Sequence, residues 1–160
     1  VRKHKGFSLI ELLIVVAIIL IIAAIAIPNL LRARIAANES SAVASVRTLN
    51  TSQISYNSAY PTVGFAGTLA SLSGTCTGTV IPTSATACLI DSQLATGTKS
   101  GYKFNIASTG TSPSSNYAVW SNPLTQNTTG VRSFCSVSDA VVRYTTTSMT
   151  TCAGTEAALQ

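Results

Sequence analysis

Charge is scarce in this 160-residue chain: 9% of its residues are Asp, Glu, Lys or Arg, against about a quarter in ordinary soluble domains. Histidine occurs once, at His4 within a basic amino-terminal segment, so the body of the chain offers no base for a Ser-His-Asp or Cys-His set. The acids Glu11, Glu39, Asp91, Asp139 and Glu156 show no paired spacing of the kind that two-carboxylate chemistry uses. Calcium takes several oxygen ligands, often carboxylates, and after residue 61 only Asp91 and Asp139 precede Glu156 in the carboxy-terminal tail. There is no C-x-x-C pair and no Gly-rich loop placed after a strand to cradle phosphate. These absences argue against an enzyme, a cofactor and a metal centre. Nor does the net charge of +5 indicate nucleic-acid binding. Arg2, Lys3 and Lys5 crowd the first five positions, and no basic patch remains elsewhere.

What the chain does have is one long apolar run, Phe7 to Ile27, ending at Pro28, with Glu11 as its sole ionisable side chain. About 20 apolar residues in a helix cross a bilayer core of roughly 30 Å, so this run can span a membrane. The basic residues before it should stay on the cytoplasmic side and place the remainder outside. A carboxylate inside such a run costs about 2.5–3.5 kcal/mol at mid-membrane and less near the interface, so Glu11 requires a partner. An ordinary secretory signal peptide, cut after Ala26 in Ala24-Ile25-Ala26, is the competing reading. An immediate apolar start, a longer core and the acid at position 11 count against it.

Cys76, Cys88, Cys135 and Cys152 all follow the apolar run. An even number of cysteines in an exported polar domain fits two disulfides. Nearest-neighbour pairing, Cys76–Cys88 and Cys135–Cys152, closes the shortest loops. Asn-x-Ser/Thr triplets at Asn38, Asn50 and Asn127 carry little weight, because such triplets are common by chance.

Beyond Pro28 the pattern stays helical but becomes amphipathic. Leu31, Ile35, Ala42, Val46, Leu49, Tyr56 and Tyr60 recur at helical spacing. Arg32, Arg34, Glu39, Ser40, Arg47 and Asn50 fall largely off that stripe. Pro61 ends the helix, and Pro28, lacking an amide, predicts a kink or local unwinding near residues 24–28. Residues 61–98 read as a long irregular connection with a short strand near Thr79-Val80-Ile81. Alternating runs at 102–106, 116–120, 131–135 and 140–144, separated by turn formers, predict an antiparallel meander of about four strands. The expected fold is therefore α+β, a long amino-terminal helix packed on an antiparallel sheet. The divisions expected are a leader (1–6), a membrane helix (7–29), an amphipathic helix (30–60) and a globular head (61–160).

Lys5-Gly6-Phe7-Ser8-Leu9-Ile10-Glu11, followed by the apolar run with Pro28 inside it, resembles the signature of type IV prepilins, a family that includes the pseudopilins. The resemblance is strong over residues 5–31. Gly101-Tyr102-Lys103-Phe104 and Asn116-Tyr117-Ala118-Val119 are similar to strands of some pilin-like proteins, a far weaker match. The resemblance implies cleavage after Gly6 by a prepilin peptidase and methylation of the new amino terminus at Phe7. It implies storage in the inner membrane, then assembly by pilus machinery into a surface homopolymer for adhesion, motility or DNA uptake. It also supplies the partner for Glu11: the Phe7 amine of a neighbouring subunit. A pseudopilin of type II secretion and a secreted soluble binding domain remain the alternative functions.

Overall fold

The computed structural model describes residues 7–74 and 81–159. Gly6, Cys76 and most of the short strand expected near residues 79–81 lie outside the described residues. Helix α1 runs Leu9–Ala59 and passes through two compact units, Val1–Arg34 and Ile35–Gln160.

The first unit is the apolar part of α1. It is long and apolar enough to cross a membrane by length and composition. A segment in lipid has no water for its peptide groups and must satisfy them internally, which a helix does even when rich in β-branched Ile and Val. Pro28 lies inside the helix, and helical structure continues on both sides of it. The missing amide leaves the Ala24 carbonyl without its usual donor.

The second unit is organised by the amphipathic part of α1. Ala42, Val46, Leu49 and Tyr56 are buried there, as their spacing predicts, and Tyr60 is half-buried against the same cluster. Leu31 belongs to the first unit and is exposed. Glu39 and Asn50, expected off the stripe, are both buried. Their heads reach hydrogen-bond partners on the sheet side, which the apolar periodicity does not encode.

The sheet is antiparallel with strand order β1-β2-β3-β4-β5-β6, every strand pairing with its chain neighbour. The strands are β1 Thr98–Lys99, β2 Tyr102–Thr109, β3 Asn116–Pro123, β4 Ser133–Val137, β5 Arg143–Thr145 and β6 Ala157–Ala158. The four expected strands are present as β2 to β5, and two-residue strands extend the sheet at each edge. Ser100 and Gly101 join β1 to β2 with φ of 49° and 76°, the left-handed pair that a two-residue type I′ hairpin requires. The third strand begins at Ser133 rather than residue 131, because the amides of Val131 and Arg132 are given to Glu39 instead of a strand. The fourth begins at Arg143 rather than residue 140, after a turn in which Ala140 has φ 59°.

Side chains alternate across these strands with period two. Tyr102, Phe104, Ile106, Tyr117, Val119 and Phe134 join the cluster that contains Val46 and Leu49. The other face carries Ala118, Cys135, Met149 and Cys152, with Trp120 and Val137 packed against them. The tail after β5 therefore covers the outer face. The connection after α1 is less irregular than expected, since it contains two single-turn helices, α2 Leu69–Leu72 and α3 Ser92–Ala95. Thr68 and Asp91 cap them. Gln53 fastens the start of this connection, donating to the Ala66 carbonyl and accepting from the Ala66 amide, both within 2.9 Å.

Candidate functional site

The residues singled out near the amino terminus meet at the first turn of α1. Phe7 precedes the helix and is 76% exposed. Ser8 occupies the capping position and Glu11 lies three residues on, the spacing of a capping box. The Ser8 amide donates to Glu11 Oε2 at 3.4 Å, and the Leu12 amide closes the turn on the Ser8 carbonyl at 3.2 Å. A helix start leaves four amides without intrahelical partners and carries partial positive charge. A carboxylate there is electrostatically favoured, which offsets part of the cost of an acid in an apolar run. The bond runs to the Ser8 amide, one residue beyond the amine that cleavage after Gly6 would create.

Along the rest of the first unit, Leu9, Leu12, Leu13, Val16, Ala17 and Leu20 line a shallow apolar groove. Between Phe7 and Leu30 every Leu, Ile and Val is exposed. A helix that is apolar all round is covered by lipid or by protein.

Among the described residues, three ion pairs form within the second unit. Asp91 pairs with Lys99, Asp139 with Arg143, and Glu39 with Arg132. Glu39 is the most constrained of the three. Burial pushes its carboxyl up, but the Val131 amide and the Arg132 side chain, amide and charge together hold it below the usual carboxylate range. The Arg132 guanidinium also lies 5.5 Å from the ring centres of Phe134 and Tyr144. This assembly was not legible as a site, because 92 or more residues separate Glu39 from its partners.

Two of the three Asn-x-Ser/Thr asparagines have structural duties. Asn38 donates to the Thr129 carbonyl at 2.8 Å. Asn50 donates to Ser136 Oγ at 2.9 Å and accepts from the Tyr117 hydroxyl at 3.3 Å. Burial, with the Asp139 charge adding to it, raises the Tyr117 phenol above its ordinary value. Asn127 is exposed in a turn, with φ 63°.

Cys135 and Cys152 form a disulfide across Cα positions 5.7 Å apart, the pairing that loop length favours. Cys76, expected opposite Cys88, lies outside the described residues. Glu156 is close to the Cys135–Cys152 sulfurs, but sulfurs joined to each other are not thiolates, the form in which cysteine binds metal.

The family described as Prokaryotic N-terminal methylation motif matches residues 1–27. Over 38 residues the chain is 68% identical to the type IV wide pilus major component PilA4 of Thermus thermophilus, covering 24% of this chain and 29% of that protein. Over 54 residues it is 48% identical to the type IV major pilin protein PilA of Myxococcus xanthus, covering 34% of this chain and 24% of that protein. The chain thus spans less than a third of the length of these curated relatives. No solved structure matches it. The chain carries the N-terminal methylation motif of prokaryotic prepilins and is similar, over a stretch of 54 residues or fewer, to the major subunits of type IV pili.

Proposed function

We propose that this chain is a structural subunit of a type IV pilus. The observation that carries the reading is an exposed apolar helix whose first turn is capped by a carboxylate and which bears the methylation motif. Such a helix needs two successive environments. Before assembly, lipid covers it and the basic leader, residues 1–6, holds the amino end on the cytoplasmic side. Cleavage after Gly6 by a prepilin peptidase frees the Phe7 amine, which is then methylated and stays cationic. In the filament, other copies replace lipid around residues 7–29, and residues 30–60 carry the head, residues 61–160, outward. Glu11 selects the register: a buried carboxylate left unpaired costs several kcal/mol, and the Phe7 amine of a neighbour removes that cost only at one axial stagger. The assembled filament serves adhesion, motility or DNA uptake on the cell surface.

Mass spectrometry of filaments sheared from the producing cell tests this reading. The expected result is this chain as a principal component with N-methyl-Phe7 at its amino terminus. An amino terminus at Ile27, or absence of the chain from surface filaments, overturns it.

A further inference from the structure

We infer that Arg32 and Arg34 bind the phosphate groups of anionic lipids at the outer face of the membrane, and so fix the depth at which the helix waits before assembly. The inference rests on the membrane stage of the proposed function and leaves the filament aside.

Both arginines belong to the first unit, follow its apolar stretch and are exposed. Neither enters an ion pair or a side-chain hydrogen bond among the described residues. Between Glu11 and Arg32 the helix carries no ionisable side chain. That interval, Leu12 to Leu31, holds about 20 residues and extends roughly 30 Å at 1.5 Å per residue, the thickness of a bilayer core. With the amino end on the cytoplasmic side, one placement puts Glu11 in the inner headgroup layer and Arg32 in the outer one. A shift of one turn (about 5 Å) outward drags the carboxylate into hydrocarbon. A shift inward drags in a guanidinium, and either is costly.

Two features single out lipid over other anions. Arg32 and Arg34 are two positions apart, which on a helix of 3.6 residues per turn aims them about 160° apart. A ligand approaching from one side meets one of them, whereas headgroups surrounding a spanning helix meet both. A second copy of this chain is a poor source of the anion. Glu39, Asp91 and Asp139 are held in ion pairs, and Glu156 accepts the Ala153 amide. Glu11 of another copy lies roughly 31 Å along the helix from Arg32 when the two helices are level. The chain has no acid between Glu11 and Glu39, so the two guanidiniums leave net positive charge at headgroup depth. A phosphate with no choline or ethanolamine cation to offset it matches that charge, and guanidinium meets phosphate through two parallel N–H bonds.

The test uses the full chain in nanodisc bilayers of equal parts phosphatidylglycerol and phosphatidylcholine, with spin-labelled forms of each lipid reporting which borders the helix. A preference for phosphatidylglycerol is expected, reduced about fivefold in Arg32→Gln/Arg34→Gln. The reduction should be smaller in Arg32→Lys/Arg34→Lys, which keeps the charges. Broadening of the Glu11 carboxyl NMR signal by a water-soluble gadolinium chelate reads its depth, and the chelate is expected to reach Glu11 but not Ile18. A preference unchanged in Arg32→Gln/Arg34→Gln belongs to the basic leader and overturns the proposal, as does a Glu11 shielded as well as Ile18. A chain that does not span the bilayer overturns the membrane stage as well. A spanning chain with no lipid preference overturns this inference alone.

Discussion

Glu39 and Arg132 are joined by more than an ion pair: one carboxylate oxygen accepts the backbone amides of Val131 and Arg132, and the other takes the guanidinium of that same Arg132. The helix thereby holds the entrance to β4 at both backbone and side chain. Replacing Glu39 with Ala orphans two amides and unpairs a half-exposed cation that water can partly rehydrate. A loss of about 2–3 kcal/mol is expected, with Glu39→Gln costing less because its carbonyl still accepts one amide. Urea unfolding of the full chain in detergent measures both.

The acids of the head share one sign of shift. Hydrogen bonds from the Leu94 amide to Asp91 and from the Arg143 side chain to Asp139 lower those carboxyls. In Glu39 and Glu156 burial raises the carboxyl and hydrogen bonding outweighs it. A carboxyl whose folded value lies below its unfolded one stabilises the fold above the unfolded value, and that contribution fades as pH falls through the folded value. Stability should therefore hold from neutrality down to the ordinary carboxylate range, 3.8 to 4.5, and decline below it. The decline should be shallower in Glu39→Gln. Unfolding midpoints taken from pH 7 downward give the slope, and an equal slope in the variant would contradict the assignment.

Gly130 lies against Tyr102, and a Cβ added there would collide with the phenol ring and its hydroxyl. Tyr102 is fully buried and its hydroxyl donates to the Arg132 carbonyl at 2.7 Å, so it cannot swing aside. Gly130→Ala is expected to cost about 1–3 kcal/mol by overpacking. Gly67→Ala, where a Cβ would meet only the end of the Ser108 side chain, should cost less. Thermal melts of the two variants side by side test the ranking.

The Cys135–Cys152 disulfide closes a sequence separation of 17. Removing it with Cys135→Ser/Cys152→Ser should cost about 3 kcal/mol. It should also raise proteolysis within residues 145–156 before the rest of the head is attacked. Mass mapping of limited digests reads the order of cutting, and simultaneous loss of the whole head would refute a local role.

Glu11→Val removes the charge and leaves an apolar helix that inserts at least as well. Membrane levels of the subunit are expected to match wild type while surface filaments fall severalfold or vanish. Immunoblots of membranes alongside sheared fractions distinguish the two effects. Wild-type filament yield would remove Glu11 from assembly.

What could be read beforehand follows the range of the interactions. Periodicity is local, so Ala42, Val46, Leu49 and Tyr56 identify a buried helix face. The alternation around Phe104 and Val119 identifies strands in the same way. Glu39 and Asn50 looked like surface residues, because their partners at Arg132 and Ser136 are far along the chain and burial of a polar head is decided there. The caps at Thr68 and Asp91 were short-range signals of α2 and α3, obscured by helices of only four residues. The Ser8–Glu11 contact was also within reach, as a Ser-x-x-Glu motif directly before an apolar run.

Because every strand of the sheet pairs with the strand next to it in the chain, the head has a built-in order of formation. Each strand has only a modest loop to close before it meets its neighbour, so little entropy is lost per step of sheet formation. Made from its amino end, the chain delivers α1 first and then the strands one after another. Throughout that interval the inner side of α1 waits without its sheet. Glu39, Ser45, Asn50, Ser52 and Gln53, all buried in the finished head, keep that waiting surface partly wetted, which disfavours premature adhesion between neighbouring unfinished chains. The polar interruptions of the core face thus protect the head while it is being made.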